Sequence, residues 1–341
     1  MRAWRATGAG DPCDVLRLIE LAEPEPEPGT VRVAVAGADV NFADILQVQG
    51  RYQVRLDPPF VPGMSASGRI TAVGAGVDLA VGQMVVGPTV PPWGGFAEAA
   101  ILAADQLTVI PGEVDPVTAA GAHVTFGTAW YALHDRGGVQ AGETVLVLAA
   151  AGGVGSAAVQ LATDAGCWVL GAAGGPAKTA AVESLGAGVA VDYLAGPDEL
   201  YDTVMALTDG RGVDVVVDPV GGTSFDVARR LVAWNGRLLV VGFAGGDIRP
   251  APTNHLLVKN YSVVGVHLGG ARRFEPDAVA DLYRQVYARL GPGGIEPLIT
   301  GRPTLEEVPD ALRRLADRDT IGRLVVVPTD LLAMAGKGGA S

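Results

Sequence analysis

Thr144-Val145-Leu146-Val147-Leu148-Ala149-Ala150-Ala151-Gly152-Gly153-Val154-Gly155 is the stretch that decides the fold. Its first half, 144–149, is a short strand-like run, and a helical stretch, 154–165, follows the glycines. The same rhythm then repeats. Strand 167–171 leads into helix 177–185, and strand 189–191 into helix 197–208. Strand 213–217, helix 224–233, strand 237–241 and a last apolar piece, 261–266, complete the series. Alternating helices and nearly all-apolar strands predict an α/β region, a doubly wound parallel sheet of the Rossmann type covered on both faces.

On the N-terminal side the period changes to two. Val31-Arg32-Val33-Ala34-Val35 alternates as a half-buried strand does. Pro24, Pro26 and Pro28 precede it and stiffen an acidic connector that cannot be helical. Further β-like pieces at 68–73, 83–87 and 96–101 are separated by Gly or Pro, and no long helix is visible before Pro116. These features predict a compact, barrel-like β domain. Beyond the sheet, helices are expected at 276–289 and 305–317 and a strand at 322–327. The tail 331–341, rich in Ala and Gly, is expected to be disordered.

With 341 residues, 49% of them hydrophobic and 18% charged, the chain can bury a large core and divide into about two domains. Its net charge of −12 disfavours a nucleic-acid partner, which needs a basic surface. Two cysteines, Cys13 and Cys167, are too few for a disulfide framework or a four-thiolate zinc site, and fit a reducing compartment. Residues 1–8 lack the apolar stretch of a secretory signal, and every apolar run stops well short of the roughly 18 residues a membrane span needs. The expectation is a cytoplasmic enzyme or binding protein.

The glycines carry the chemistry. They lie after a strand and at the start of a helix, where a dinucleotide-binding turn belongs. Gly152 allows the backbone to approach a pyrophosphate, and Gly155 allows the helix to pack closely on the sheet. With Gly153 and Val154 they offer free amides at the positive end of a helix dipole. Ala150 stands in place of the first glycine of G-x-G-x-x-G. After the second strand an NAD-preferring site carries an acid for the ribose 2′-hydroxyl. Here Gly171-Ala172-Ala173-Gly174-Gly175-Pro176-Ala177-Lys178 contains none, and Lys178 would attract a 2′-phosphate unless it is simply a solvated residue of a helix. The expected cofactor is NADPH.

Several stretches together resemble the quinone oxidoreductase (zeta-crystallin-like) branch of the medium-chain dehydrogenase/reductase superfamily. They are Val40-Asn41-Phe42-Ala43-Asp44-Ile45-Leu46 with Gln49-Gly50-Arg51-Tyr52, Phe60-Val61-Pro62-Gly63, Gly94-Gly95-Phe96-Ala97-Glu98 and the 149–155 turn. Val216-Val217-Asp218-Pro219-Val220-Gly221-Gly222 and Val240-Val241-Gly242-Phe243-Ala244 extend the likeness over roughly 1–328. The resemblance implies a GroES-like β-barrel catalytic domain from 1–124 and 266–330, a cofactor domain at 125–265, and an active site in the cleft between them. It assigns the 2′-phosphate to Lys178 and Tyr193, although Gly174 and Gly175 stand where members often carry Ser. It places Gly242, Phe243, Ala244, Val266 and His267 beside the nicotinamide, with Thr128 and Asn41 approaching it and Arg323 near the end of the chain. It also implies a homodimer joined through the 261–266 edge.

The branch is zinc-independent, and the residues agree. Asn41-Phe42-Ala43-Asp44 and Pro62-Gly63-Met64-Ser65 occupy the places where zinc-dependent relatives carry Cys and a His-Glu pair. His123, His134, His255 and His267 have no ligand spacing such as H-x-x-x-H. No metal site is expected. Asn41 and Tyr52 are the candidates for hydrogen-bonding an acceptor oxygen, each with a packing role as the alternative. His123, Cys167 and Trp93 read more simply as structural residues. The expected activity is metal-free hydride transfer from NADPH to a quinone or an α,β-unsaturated carbonyl. Its rivals are an enoyl-thioester reductase and a non-catalytic NADPH-binding structural or redox-sensor protein.

Overall fold

The computed structural model describes residues 1–328 except Pro292, so the expectation for 331–341 lies outside the described residues. A hairpin that the sequence pattern does not announce opens the chain. Its strands β1 (Arg2–Ala6) and β2 (Leu16–Glu20) are antiparallel and flank a short helix, α1 (Pro12–Val15). Strand β3 (Thr30–Asp39) then buries Val31, Val33 and Val35 while Thr30, Arg32 and Ala34 stay partly exposed, as the alternation predicts. A second unannounced element, α2 (Phe42–Val48), precedes β4 (Ser65–Val73), β5 (Met84–Pro88), β6 (Ala99–Ala103) and β7 (Thr108–Val109). The strand expected at 96–101 begins three residues late. Phe96 and Ala97 are instead fully buried, and Phe96 carries backbone bonds to Trp4 and Pro62.

Helix α3 (Pro116–Trp130), extended by one π-helical turn, leads to the parallel sheet. Its strands are β8 (Thr144–Val147), β9 (Trp168–Ala173), β10 (Val189–Asp192), β11 (Val213–Asp218), β12 (Val232–Val240) and β13 (Ser262–Gly265). Between them run α4 (Gly153–Asp164), α5 (Pro176–Ser184), α6 (Pro197–Leu207), α7 (Gly222–Leu231) and α8 (Thr253–Lys259). All neighbours pair in parallel, in the order β10-β9-β8-β11-β12-β13. The order reverses at β8, which makes the gap between β8 and β11 the topological switch point of a Rossmann sheet. Leu146, Leu170, Val216 and Leu238 on the strands and Val204, Ala228 and Leu231 on the helices fill its core. Cys167 does not belong to it: it is half-buried before β9 begins, with its thiol toward the Gln140 carbonyl.

The chain continues through α9 (Leu268–Phe274) and α10 (Pro276–Arg289) to β14 (Ile299–Gly301), α11 (Val308–Ala316) and β15 (Arg323–Val326). Two compact units result, Thr125–Leu298 and Met1–Val124 with 299–328. The segment 266–298, expected with the first domain, therefore belongs to the second. Val279, Leu282, Tyr283, Val286 and Tyr287 recur at helical spacing and are all buried. A Cβ on Gly127 would lie 2.7 Å from the Tyr283 hydroxyl, so α10 is pressed against the end of α3. In the other unit the strands run β14-β15-β3-β4-β5-β7, with β6 also on β3. Among the described residues no helix is long and apolar enough to cross a membrane.

Candidate nucleotide and acceptor site

The turn after β8 has a backbone conformation that small residues allow. Ala149, rather than Ala150, takes the left-handed conformation, with φ 48°. Gly152 is extended and caps α4, whose first helical bond runs from the Ser156 amide to the Gly152 carbonyl at 2.8 Å. The amides of Gly153, Val154 and Gly155 precede that bond and have no carbonyl of their own helix to donate to. A Cβ on Gly155 would lie 2.1 Å from the Ala149 carbonyl oxygen, and one on Gly171 2.3 Å from Val182 Cγ1. Helix and sheet thus approach at distances only glycine permits. This turn lies at the carboxyl end of β8, beside the switch point, and offers amides to an anion.

The turns after β9 and β10 form one structure. Gly175, with φ 85°, leads into α5, and Pro176 occupies its first turn without losing a helical bond. The Asp192 carboxylate accepts the Gly175 amide at 3.0 Å and the Leu194 amide at 2.9 Å. Those two donors hold its carboxyl below the usual range. A Cβ on Gly174 would stand 3.2 Å from the Tyr193 hydroxyl and ring. Tyr193 is exposed, and Lys178 sits half-buried on the first turn of α5. Gly174 and Tyr193 are therefore neighbours, Lys178 stands on the helix that follows, and Asp192 ties the two turns together, unforeseen.

On the other side of the switch point the Asp218 carboxylate ends β11 and accepts the amides of Val220 and Gly221, each at 2.8 Å. Its other oxygen is buried with no hydrogen-bond partner among the described residues, and burial raises the pKa of Asp218 against those two amides. The turn Gly242-Phe243-Ala244 follows β12, where Ala244 donates to the Pro219 carbonyl. A Cβ on Gly221 would lie 3.0 Å from the Phe243 ring. Val266 continues the edge pairing by donating to Val240, and exposed His267 caps α9 through its carbonyl. Thr128 is half-buried on α3.

Asn41, Tyr52 and Arg323 belong to the other unit. There Asn41 starts α2 and its carboxamide is bonded at both ends: Oδ1 accepts from Arg323 Nη2 at 2.8 Å, and Nδ2 donates to the Asp39 carbonyl at 3.2 Å. Arg323 also donates from Nε to Asp39 Oδ1 at 2.8 Å. Asp39 is fully buried, and its Oδ2 has no hydrogen-bond partner among the described residues. Burial pushes its pKa up to about 7, outweighing the attraction of Arg323. Asp44 accepts the amides of Asn41 and Met64, each at 2.8 Å, and burial raises it to about 6 in spite of them. Tyr52 lies in the loop after α2, its amide donating to Leu46. His123 is fully buried, and Trp93 packs beside Ala3, Val61 and Ala97. Asp39, Asp44, Asp192 and Asp218 were absent from the sequence-level candidates. Each is a short acid at the end of a strand or the start of a helix, the one local signal that marked them.

Among the described residues no three His, Cys, Asp or Glu side chains gather in a way that could hold a metal ion. Residues 27–112 match the family model described as alcohol dehydrogenase GroES-like domain, and 153–284 the one described as zinc-binding dehydrogenase. The chain is similar to quinone oxidoreductase-like protein 2 of Bos taurus, at 39% identity over 91% of this chain and 88% of the relative. It resembles the quinone oxidoreductase of Thermus thermophilus, solved alone and with NADPH, at 34% identity, 96% and 100% coverage and a TM-score of 0.81. The CurK enoyl reductase structure is 26% identical with a TM-score of 0.83, covering 96% of this chain and 99% of that one.

Proposed function

This chain belongs to the quinone oxidoreductase branch of the medium-chain dehydrogenase/reductase superfamily, and from that premise we propose that it is a metal-free NADPH-dependent reductase of quinones or α,β-unsaturated carbonyls. The observation that carries the reading is the glycine-only approach of α4 to β8 beside the switch point. A bulkier residue at 155 would push α4 away from the strand end and so displace the amides that a pyrophosphate needs.

The amides of Gly153, Val154 and Gly155 at the Gly152 cap would hold the pyrophosphate, and Lys178, Tyr193 and Gly174 the 2′-phosphate. Gly242, Phe243, Ala244, Val266, His267 and Thr128 would line the nicotinamide. When bound, NADPH supplies a hydride; with one proton from water it completes the reduction of a quinone to a hydroquinone. Asn41 and Tyr52 would donate hydrogen bonds to the oxygen that gains charge. Arg323, whose guanidinium is engaged with Asp39 and Asn41, would act through them. On this reading the step would use no metal: 41–44 and 62–65 contain neither Cys nor His, and among the described residues no three His, Cys, Asp or Glu side chains gather. The two free thiols fit a reducing compartment such as the cytoplasm. The exposed β13 edge would join a second copy as a homodimer.

Purified protein assayed for NADPH oxidation against quinones, enones and enoyl thioesters tests the reading. Turnover of quinones or enones that survives a chelator supports it. Preference for enoyl thioesters would favour the second reading, which the likeness to CurK enoyl reductase motivates. Tight NADPH binding without turnover would make the protein a sensor. Lys178→Ala should raise the KM for NADPH about tenfold and leave that for NADH nearly unchanged.

A further inference from the structure

Between Gly171 and Lys178 the sequence has no acid that could bind a ribose 2′-hydroxyl. The folded chain supplies one from elsewhere. Asp192 ends β10 in register with Ala173, the last residue of β9, and its Oδ1 bonds the Gly175 amide at 3.0 Å. The same oxygen holds the Leu194 amide at 2.9 Å, so both turns are tied to one carboxylate. Next in sequence is Tyr193, whose hydroxyl lies 3.2 Å from where a Gly174 Cβ would be. Lys178 follows Gly175 by three residues, its amide donating to the Gly175 carbonyl at 3.1 Å. The acid and the phenol thus adjoin the turn where the second strand ends, and Lys178 stands on the first turn of the helix that follows. In a Rossmann sheet that is the position of the adenosine ribose.

We propose that Asp192 is a specificity-determining residue that opposes Lys178 and narrows the preference for the 2′-phosphorylated coenzyme over the unphosphorylated one. The proposal rests on the coenzyme reading above. A carboxylate beside this turn repels a phosphate dianion, whereas it accepts a hydrogen bond from a 2′-hydroxyl. Its amide donors keep it ionised, so the repulsion persists at neutral pH. Oδ2 takes neither of the two amide bonds and is the oxygen that would meet the ribose.

Asp192→Asn tests this directly, because its carbonyl oxygen can still accept both amides while the charge is gone. Dissociation constants for NADPH, NADH, 2′,5′-ADP and 5′-AMP would be measured by calorimetry on wild type and variant. NADPH and 2′,5′-ADP should bind about three- to tenfold more tightly to the variant, with NADH and 5′-AMP unchanged or weaker. Asp192→Ala, which loses the tether as well, should bind all four more weakly than Asp192→Asn does. An unchanged NADPH-to-NADH ratio in Asp192→Asn, or an equal loss for both, would make Asp192 a turn tether only and overturn the proposal. If wild type binds none of the four, the coenzyme reading itself falls and this one with it.

Discussion

Arg323 and Asp39, 284 residues apart in the chain, form a buried ion pair that closes β15 onto the end of β3. Both side chains are almost wholly withdrawn from solvent, and the same guanidinium holds the Asn41 carboxamide. Removing one partner of such a pair leaves the other charge buried and unpaired. Arg323→Met is therefore expected to lower unfolding free energy by about 3–5 kcal/mol at pH 8. Urea denaturation should show a smaller loss at pH 5, where Asp39 takes up a proton, and partial recovery in the double variant with Asp39→Asn.

The two buried acids give wild type a pH dependence of definite sign. Folding raises Asp39 from its ordinary 3.8 to about 7 and Asp44 to about 6. The native state then binds more protons than the unfolded chain, so this stability is complete below about pH 4 and is lost as pH rises toward 7. Unfolding free energy of wild type, relative to that of Asp39→Asn, should fall across that window by at most about 1.4 kcal/mol per pH unit. A difference that rises with pH would contradict the burial-dominated assignment.

Gly155→Ala places a Cβ 2.1 Å from the Ala149 carbonyl oxygen, and backbone must move to accept it. We expect a loss of about 1–3 kcal/mol and a coenzyme affinity at least tenfold weaker. In Gly171→Ala the clash falls chiefly on Val182 Cγ1 of α5, with a milder contact at 3.1 Å on Ala150 Cβ and none on the α4 amides. Its thermal midpoint should drop comparably while coenzyme binding weakens less. Calorimetry on the two variants separates the cradle from general packing.

Among the described residues strand β13 pairs only with β12, leaving its other edge open, with Val263 and Val264 half-buried. A dimer mass is expected by light scattering at micromolar protein, and Val264→Lys should shift it toward monomer. A monomeric wild type would refute pairing through this edge.

The parallel sheet was legible because its signal is local. Apolar strands, helix periods and the 152–155 glycines each lie within a short window, and the period-two valines at 31–35 announced β3 equally plainly. The β1–β2 hairpin and α2 lacked such a pattern: β1 alternates poorly, and α2 is only seven residues long. The grouping of 266–298 with the parallel-sheet unit was not legible, because helix amphipathicity reveals that α10 buries a face but not which surface receives it.

By itself, the order of residues determined that a Rossmann sheet forms and where the glycine turn after its first strand lies, since both follow from hydrogen-bonding period and the space a glycine leaves. Tertiary structure alone decided which acids matter. Asp39 meets Arg323 across most of the chain, and Asp192 reaches Gly175 from the neighbouring strand. A carboxylate's charge, burial and partners depend on distance in space, and strand pairing sets that distance between residues that sequence keeps apart.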